Sequence, residues 1–197
     1  MINKATFPKR LAGGYYIDLG NFTEDDVDLE DINTALNQIK RFGGHYKDKP
    51  PLTVAQHSWL VKHLAEQCFP EESSVHFNAL IHDFPETYYG DIVTPIKHRL
   101  KKSPIFRDFI DMIDKAVYDK LWKPQYTLDD DVADKTRFCD LLALDIERRS
   151  MWKSQHGKDM WPEIPDIGMS LEEKQELFKT AQGEGAVIDL VLYYKGF

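Results

Sequence analysis

The sequence has few cysteines and no long apolar run. Its two cysteines, Cys68 and Cys139, form no CxxC pair, which argues against a cysteine zinc site and against a disulfide scaffold. We therefore expect two buried free thiols. The N-terminus lacks the apolar core of a signal peptide, and no apolar stretch has the length needed to cross a bilayer. These absences predict a cytoplasmic protein with no membrane partner.

A basic surface is also missing. The net charge is −8, whereas proteins that bind nucleic-acid polymers usually carry a basic face or a high isoelectric point. A nucleic-acid polymer is therefore not expected as a partner. Hydrophobic residues make up 42% of the chain and aromatic residues 12%, which argues against disorder. The length of 197 residues fits one domain, which we place at 1–197.

What the chain does contain is helical periodicity. Apolar residues recur every three or four positions over 104–122, the clearest amphipathic pattern in the chain. Comparable patterns predict further helices at 27–42, 53–68, 74–83, 129–152 and 170–195. Two of these segments begin with a capping box, at Thr53 and at Ser170. Because strand-like alternation is confined to residues 1–26, we predict a mostly all-α bundle with a short irregular or β-containing N-terminal arm.

Four ionisable residues interrupt apolar helix faces: His57, His82, Asp83 and Asp140. Burying an unpaired histidine or carboxylate costs several kcal/mol, so these residues need partners and could satisfy one another. Two imidazoles and two carboxylates form a donor set suited to Mn, Fe, Co, Ni or Zn rather than to Ca. Taken singly, each has an ordinary alternative, such as a core histidine bonded to a carbonyl or a solvated aspartate. The combination and its order favour a metal site.

That order resembles the H…HD…D signature of the HD-domain metal-dependent phosphohydrolases. The stretch "HDFPETYYGDIVTPIK" resembles the HD-x-x-E-x-x-x-G-D-x-x-x-P-x-K block of the family's 5′-deoxynucleotidases. "TVAQHS" resembles the helix that carries the first histidine, and "RFGGH" resembles an upstream Arg–aromatic pair. The matches cover roughly residues 10–150, and "DLEDINTALNQIKRFGGH" is most similar to a subgroup that includes phage dATP triphosphohydrolases. The resemblance implies an HD-domain helical bundle.

The resemblance also implies roles in metal binding and catalysis. His57, His82, Asp83 and Asp140 would hold a divalent cation (Mn, Co, Zn or Mg), with a second ion if Asp83 bridges. Asp83 would thereby act directly in catalysis. Glu86 matches the residue that serves as general acid or base, a role suited to a carboxylate close to the metal. The structural alternative for Glu86 is a solvated residue at a helix end.

Further matched residues are implied to bind substrate. Arg41 would bind phosphate, to which its fork of donors is suited. Phe42 takes the place of an aromatic residue that packs near the sugar and helps to reject the ribose 2′-hydroxyl, and Asp91 would contact a sugar hydroxyl. Three more cations could meet the charges of a phosphate chain: His45, Lys47 and Lys97. The alternative for each cation is an ordinary position on a solvated surface.

The activity that the resemblance implies is hydrolysis of deoxynucleotides. We expect conversion of a dNTP, with dATP preferred, to a deoxynucleoside and triphosphate. The alternatives are a 5′-deoxynucleotidase acting on dNMPs, a non-catalytic nucleotide-binding HD module, and a cyclic-nucleotide or (p)ppGpp hydrolase, against which the G-D-x-x-x-P-x-K match argues. The partner would be a small-molecule deoxynucleotide. We also expect a homo-oligomer, either dimer or hexamer, located in the host cytoplasm if the protein is phage-encoded.

Overall fold

The fold is mostly helical. The computed structural model describes four ranges of the chain: 7–46, 49–152, 163–183 and 189–196. Strands β1 (Pro8–Arg10) and β2 (Tyr16–Asp18) pair antiparallel in the N-terminal arm. The helices are α1 (Leu29–Leu36), α2 (Val54–Cys68), α3 (Ser73–Ile81), α4 (Glu86–Tyr89), α5 (Thr94–Leu100), α6 (Pro104–Leu121), α7 (Asp130–Met151), α8 (Leu171–Gly183) and α9 (Leu190–Lys195). The predicted fold class, with its β-containing arm, is confirmed.

Helix α2 lies at the centre of the bundle, packed against α3, α7 and α8. Two apolar clusters fill the interior on either side. One joins the N-terminal arm to α1, α3, α6 and α9, and the other joins α2, α3, α7 and α8. Phe178 of α8 belongs to the second cluster and Leu190 of α9 to the first. The segment predicted as one C-terminal helix over 170–195 therefore contains two helices in different surroundings, and residues 184–188 lie outside the described part of the chain.

The helix predicted over 27–42 ends earlier, at Leu36. The backbone beyond it pairs with a distant segment instead of continuing the helix. Lys40 forms a β-bridge with Thr53, and the amide of Arg41 donates to the carbonyl of Leu52 at 3.1 Å. This pairing joins the Arg41 segment to the start of α2, which carries His57.

The N-terminal arm is tied to the helix after the His-Asp pair. The Nζ of Lys9 donates to the carbonyl oxygens of Thr87 at 2.9 Å and Tyr88 at 2.6 Å.

Both cysteines are free thiols, as predicted. Only Cys139 is fully buried, however, because Cys68 is partly exposed at the end of α2. Within the described residues, no helix is long and apolar enough to span a membrane.

The first turn of α2 is held by the predicted capping box. The Thr53 side chain accepts from the amide of Gln56 at 3.1 Å, and the Gln56 side chain accepts from the amide of Thr53 at 2.8 Å. Because Ala cannot accept this bond, Thr53→Ala should lower the free energy of unfolding by about 1 kcal/mol. Urea denaturation measures the change. An unchanged midpoint would show that the capping box adds nothing to stability. The matched variant is Ser170→Ala, which removes the equivalent acceptor from the exposed capping box of α8.

Candidate metal centre

Three of the four predicted metal ligands form one group, and the fourth, Asp140, contacts one of them. The Nε2 of His57 lies 3.1 Å from Oδ1 of Asp140 and 3.6 Å from Oδ2 of Asp83. The Nε2 of His82 lies 3.4 Å from the same Oδ2 of Asp83. His57, His82 and Asp83 each direct one potential ligand atom into a group whose members lie within 4.8 Å of one another. Asp140 joins this group through its contact with His57.

Three helices supply these side chains. His57 lies in the first turn of α2, His82 and Asp83 directly follow the last residue of α3, and Asp140 lies in the middle of α7. A tight turn follows α3, in which the amide of Phe84 bonds to the carbonyl of Ile81 at 2.9 Å. Phe84 is fully buried and anchors this turn. Two adjacent residues can therefore face one point at a helix end.

The donor set fits a divalent cation. The Nε2 atoms of His57 and His82 are both buried and form no hydrogen bond of good geometry, although Oδ1 of Asp140 lies 3.1 Å from Nε2 of His57. Buried polar atoms without a partner are uncommon and costly. Two imidazole nitrogens beside the carboxylates of Asp83 and Asp140 form an N/O set of the kind that binds Zn, Mn, Fe or Co. These residues can thus hold a metal ion.

The local charges keep both aspartates ionised. Burial opposes ionisation of Asp83, but His82, His57 and Arg41 outweigh it and hold the pKa of this carboxyl well below its usual range. Burial likewise opposes ionisation of Asp140, yet His57 lowers its pKa. Burial and Arg41 oppose protonation of His57, whereas Glu147 and Asp140 raise its pKa to about 9. A cation would therefore displace a proton from His57, so its binding should weaken as pH falls.

Arg41 lies beside the predicted ligands on a kinked turn. Its Nη1 is 3.4 Å from Oδ2 of Asp83. The next residue, Phe42, has a φ of 59°, a left-handed conformation that is costly for a residue with a side chain. The Phe42 backbone donates to the carboxylate of Asp91, and its ring packs edge-on against Trp152 at 5.1 Å between centroids. The turn thus brings Arg41, Phe42 and Asp91 together, and adds Trp152, which sequence reasoning did not select.

Glu86 and Lys97 form a second pair near the centre. The Nζ of Lys97 is 3.7 Å from Oε1 of Glu86, and Oε2 of Glu86 is buried without a partner. Burial, followed by the charges of Asp83 and Asp91, raises the pKa of Glu86 well above its ordinary value. Asp91 also has a raised pKa, chiefly because it is buried. The structure thus places Glu86, a carboxyl with a raised pKa, near Asp83, a carboxyl with a lowered pKa.

His45 stands apart from these contacts. It is exposed on the turn that follows Arg41, and its ring lies near Gly43. Lys47 lies outside the described residues. The predicted roles of both residues stay predictions.

Sequence reasoning missed a buried glutamate beneath the site. Glu147 has no solvent exposure, and its Oε1 lies 3.3 Å from Nδ1 of His57. The Nε of Arg41 donates to Oε2 of Glu147 at 3.3 Å. The available signal was the spacing, because Glu147 follows Asp140 by seven residues, or two helical turns, on the same face of α7.

A hydrogen-bonded group of polar side chains joins three helices next to the site, one helical turn before His82 and Asp140. Asn78 precedes His82 by four residues, and Thr136 precedes Asp140 by four. The side-chain amide of Asn78 donates to the hydroxyl of Thr136 at 2.9 Å, and the Tyr118 hydroxyl donates to Asn78 at 3.0 Å. This link joins α3, α7 and α6 next to the site.

Comparison with known proteins identifies the family. Residues 34–119 match the family model of the HD domain. The chain is 31% identical over 162 residues to the uncharacterized protein YfdR of Escherichia coli K12, covering 82% of this chain and 80% of that protein. The chain belongs to the HD-domain family. The family inferred from the sequence motifs is therefore confirmed, and the matched region of the HD domain includes every predicted site residue except Asp140.

Two further comparisons have lower coverage or identity. The uncharacterized protein RCAP_rcc00048 of Rhodobacter capsulatus is 32% identical over 111 residues, which cover 56% of each chain. A solved structure of the cyanophage S-2L HD phosphohydrolase DatZ, bound to dA and one catalytic Zn²⁺ ion, gives a TM-score of 0.49 at 19% identity. That alignment covers 83% of this chain and 92% of DatZ.

Proposed function

We propose that this protein is a metal-dependent phosphohydrolase of deoxynucleotides. The observation that carries the proposal is the grouping of His57, His82 and Asp83, with Asp140 in contact with His57, around two buried imidazole nitrogens. Membership of the HD-domain family supports the same reading. The four ligands are His57, His82, Asp83 and Asp140. A cation held there would lower the pKa of a coordinated water and draw electron density from a phosphoryl oxygen.

The chain's own residues supply positioning and a proton. Arg41 directs a terminal guanidinium nitrogen towards Asp83, so its remaining donors can bind phosphate oxygens in a fork. Glu86 has a raised pKa because it is buried, so it can hold a proton and donate it to the departing nucleoside oxygen. Lys97, 3.7 Å from Glu86, adds positive charge for the phosphate chain.

The proposed reaction is attack of water at the α-phosphorus of a dNTP. The bond between this phosphorus and the 5′-oxygen breaks, and the products are a deoxynucleoside and triphosphate. The choice of triphosphate, and of adenine, rests on the resemblance of the "RFGGH" segment to the phage enzymes. Phe42 and Asp91, joined through the Phe42 backbone, are proposed to face the sugar. A 2′-hydroxyl would then meet the Phe42 ring, which can donate no hydrogen bond to it.

Product analysis tests this proposal. The protein is incubated with Mn, Co, Zn or Mg and with dATP, dAMP, ATP or another dNTP, and the released species are separated by chromatography. We expect deoxyadenosine and triphosphate from dATP, with ATP at least about tenfold slower. Phosphate released from dAMP alone would identify a 5′-deoxynucleotidase. Nucleotide binding without turnover in any metal would identify a binding module and would refute hydrolysis.

A further inference from the structure

Glu147 lies between two functional side chains, His57 and Arg41, that are both far from it in the sequence. Its Oε1 is 3.3 Å from Nδ1 of His57 and 3.1 Å from Nε of Arg41, and its Oε2 accepts from the same Arg41 nitrogen. The carboxylate is completely buried. A buried carboxylate is tolerated only where partners compensate for lost hydration. Its partners here are a predicted metal ligand and the predicted phosphate-binding arginine.

We propose that Glu147 is a positioning residue that couples metal binding to phosphate binding by holding His57 and Arg41 through one carboxylate. This inference rests on the proposed function, because it takes His57 as a metal ligand and Arg41 as a phosphate ligand. Glu147 itself is fully buried behind both residues, so it would reach neither the ion nor the substrate directly.

The contact with His57 acts on the ring nitrogen that faces away from the site. The Nε2 of His57 faces Asp83 and Asp140, whereas its Nδ1 faces Glu147. A carboxylate at Nδ1 favours the tautomer that carries its hydrogen there, which leaves the Nε2 lone pair for a cation and makes it a better ligand. The Nδ1 of His82 is 2.8 Å from the carbonyl of Ala79, so the second histidine is oriented in the same manner by a neutral oxygen.

The contact with Arg41 fixes the direction of the guanidinium. Because Nε is occupied by Glu147, the terminal nitrogens are left to face Asp83 and an incoming anion. The residue that follows Arg41 is Phe42, whose left-handed backbone costs energy and persists only where neighbouring contacts hold it. Glu147 holds the preceding residue, Arg41, in place. Without it we expect the guanidinium to leave its position and phosphate affinity to fall.

A purely structural role makes a different prediction. If Glu147 only neutralised buried Arg41, its loss would lower stability and leave the metal affinity of the folded protein unchanged. The coupling role predicts two separate losses in protein that remains folded. One is in affinity for the metal alone, and the other is in KM for nucleotide at saturating metal.

The test uses Glu147→Gln, which keeps the size of the side chain and removes its charge. Titration with Co²⁺ alone, followed by its visible absorption, should show affinity about 10- to 100-fold weaker than wild type, as is typical for the loss of such a carboxylate. At saturating metal, KM for dATP should rise about tenfold, while kcat falls less. Glu176→Gln, in an exposed ion pair on α8, should behave as wild type.

The outcomes separate the two hypotheses. A wild-type protein that binds no Co²⁺ and hydrolyses no nucleotide would refute the proposed function itself. If the wild type binds Co²⁺, and Glu147→Gln has the same Co²⁺ affinity and the same KM for dATP as the wild type, the coupling role alone is overturned. If Glu147→Gln does not fold, Glu147→Asp keeps the charge and withdraws it by one methylene. Weaker Co²⁺ binding in that variant supports the inference, and wild-type binding contradicts it.

Discussion

Asp83→Asn is expected to abolish turnover, with kcat lowered by at least about 1,000-fold. Oδ2 of Asp83 is the atom on which the site's contacts meet, since it lies within 3.6 Å of His57, His82 and Arg41. An amide has the same shape but lacks the charge that balances a cation. A bound metal contributes several kcal/mol to a phosphoryl-transfer transition state, and about 1.4 kcal/mol corresponds to a tenfold change in rate. Steady-state hydrolysis of dATP at a fixed metal concentration measures the loss.

Two controls give this result its meaning. Asp108→Asn, at an exposed position of α6, should retain full activity. Asp83→Asn should also keep the helical circular dichroism of the wild type, because Asp83 lies outside both apolar clusters. A folded Asp83→Asn protein with normal turnover would show that the metal centre described here is not the catalytic site.

The charge balance of the site explains why a cation and a polyanion would bind together. Carboxylates outnumber the permanent cations: Asp83, Asp140, Glu147, Glu86 and Asp91 surround Arg41 and Lys97. A phosphate chain brought to this surface alone would meet repulsion. A bound dication removes much of the excess, and a proton on Glu86 removes more. We therefore expect nucleotide affinity to depend strongly on metal.

Local sequence patterns were sufficient to predict most helices. The amphipathic spacing within α6 and the Asp129 cap of α7 are encoded within one segment, so their limits could be read to within a residue or two. The end of α1 could not be predicted in this way. Apolar spacing continues to Ile39, but residues 39–41 use their backbone groups in pairing with 52–54, and no local pattern carries that information.

The same distinction applies to the site. Eight of the predicted site residues stand in two short stretches, 41–45 and 82–97, where a contiguous motif can reveal them. Glu147 acts on Arg41 across 106 residues of sequence. It stands in "DIERR", where neighbouring charges suggest a solvated face. Its burial follows from the packing of α2 against α7, which only the folded chain reveals.

Glu86→Gln is expected to lower kcat by about 100- to 10,000-fold, the usual contribution of a general acid or base. Glutamine matches the shape of glutamate but cannot transfer the proton. In wild type, kcat/KM should fall as pH rises through the raised pKa of Glu86, because the acid form that donates the proton is then lost. This alkaline decline should be absent from the residual activity of the variant. The pH profiles of both proteins with dATP provide the measurement.

Stability supplies an independent test of the same assignment. Burial, then Asp83 and Asp91, raise the pKa of folded Glu86, so the folded metal-free protein holds a proton that the unfolded chain has released. Stability must then decline as pH rises from the ordinary glutamate pKa through the raised one. Since Gln carries no charge to bury, Glu86→Gln should melt at a higher temperature than wild type at neutral pH without metal. The control variant Glu172→Gln, at an exposed position of α8, should show no such increase. A lower activity with a higher Tm would identify Glu86 as a group retained for chemistry. A decrease in both activity and Tm would make Glu86 a structural residue.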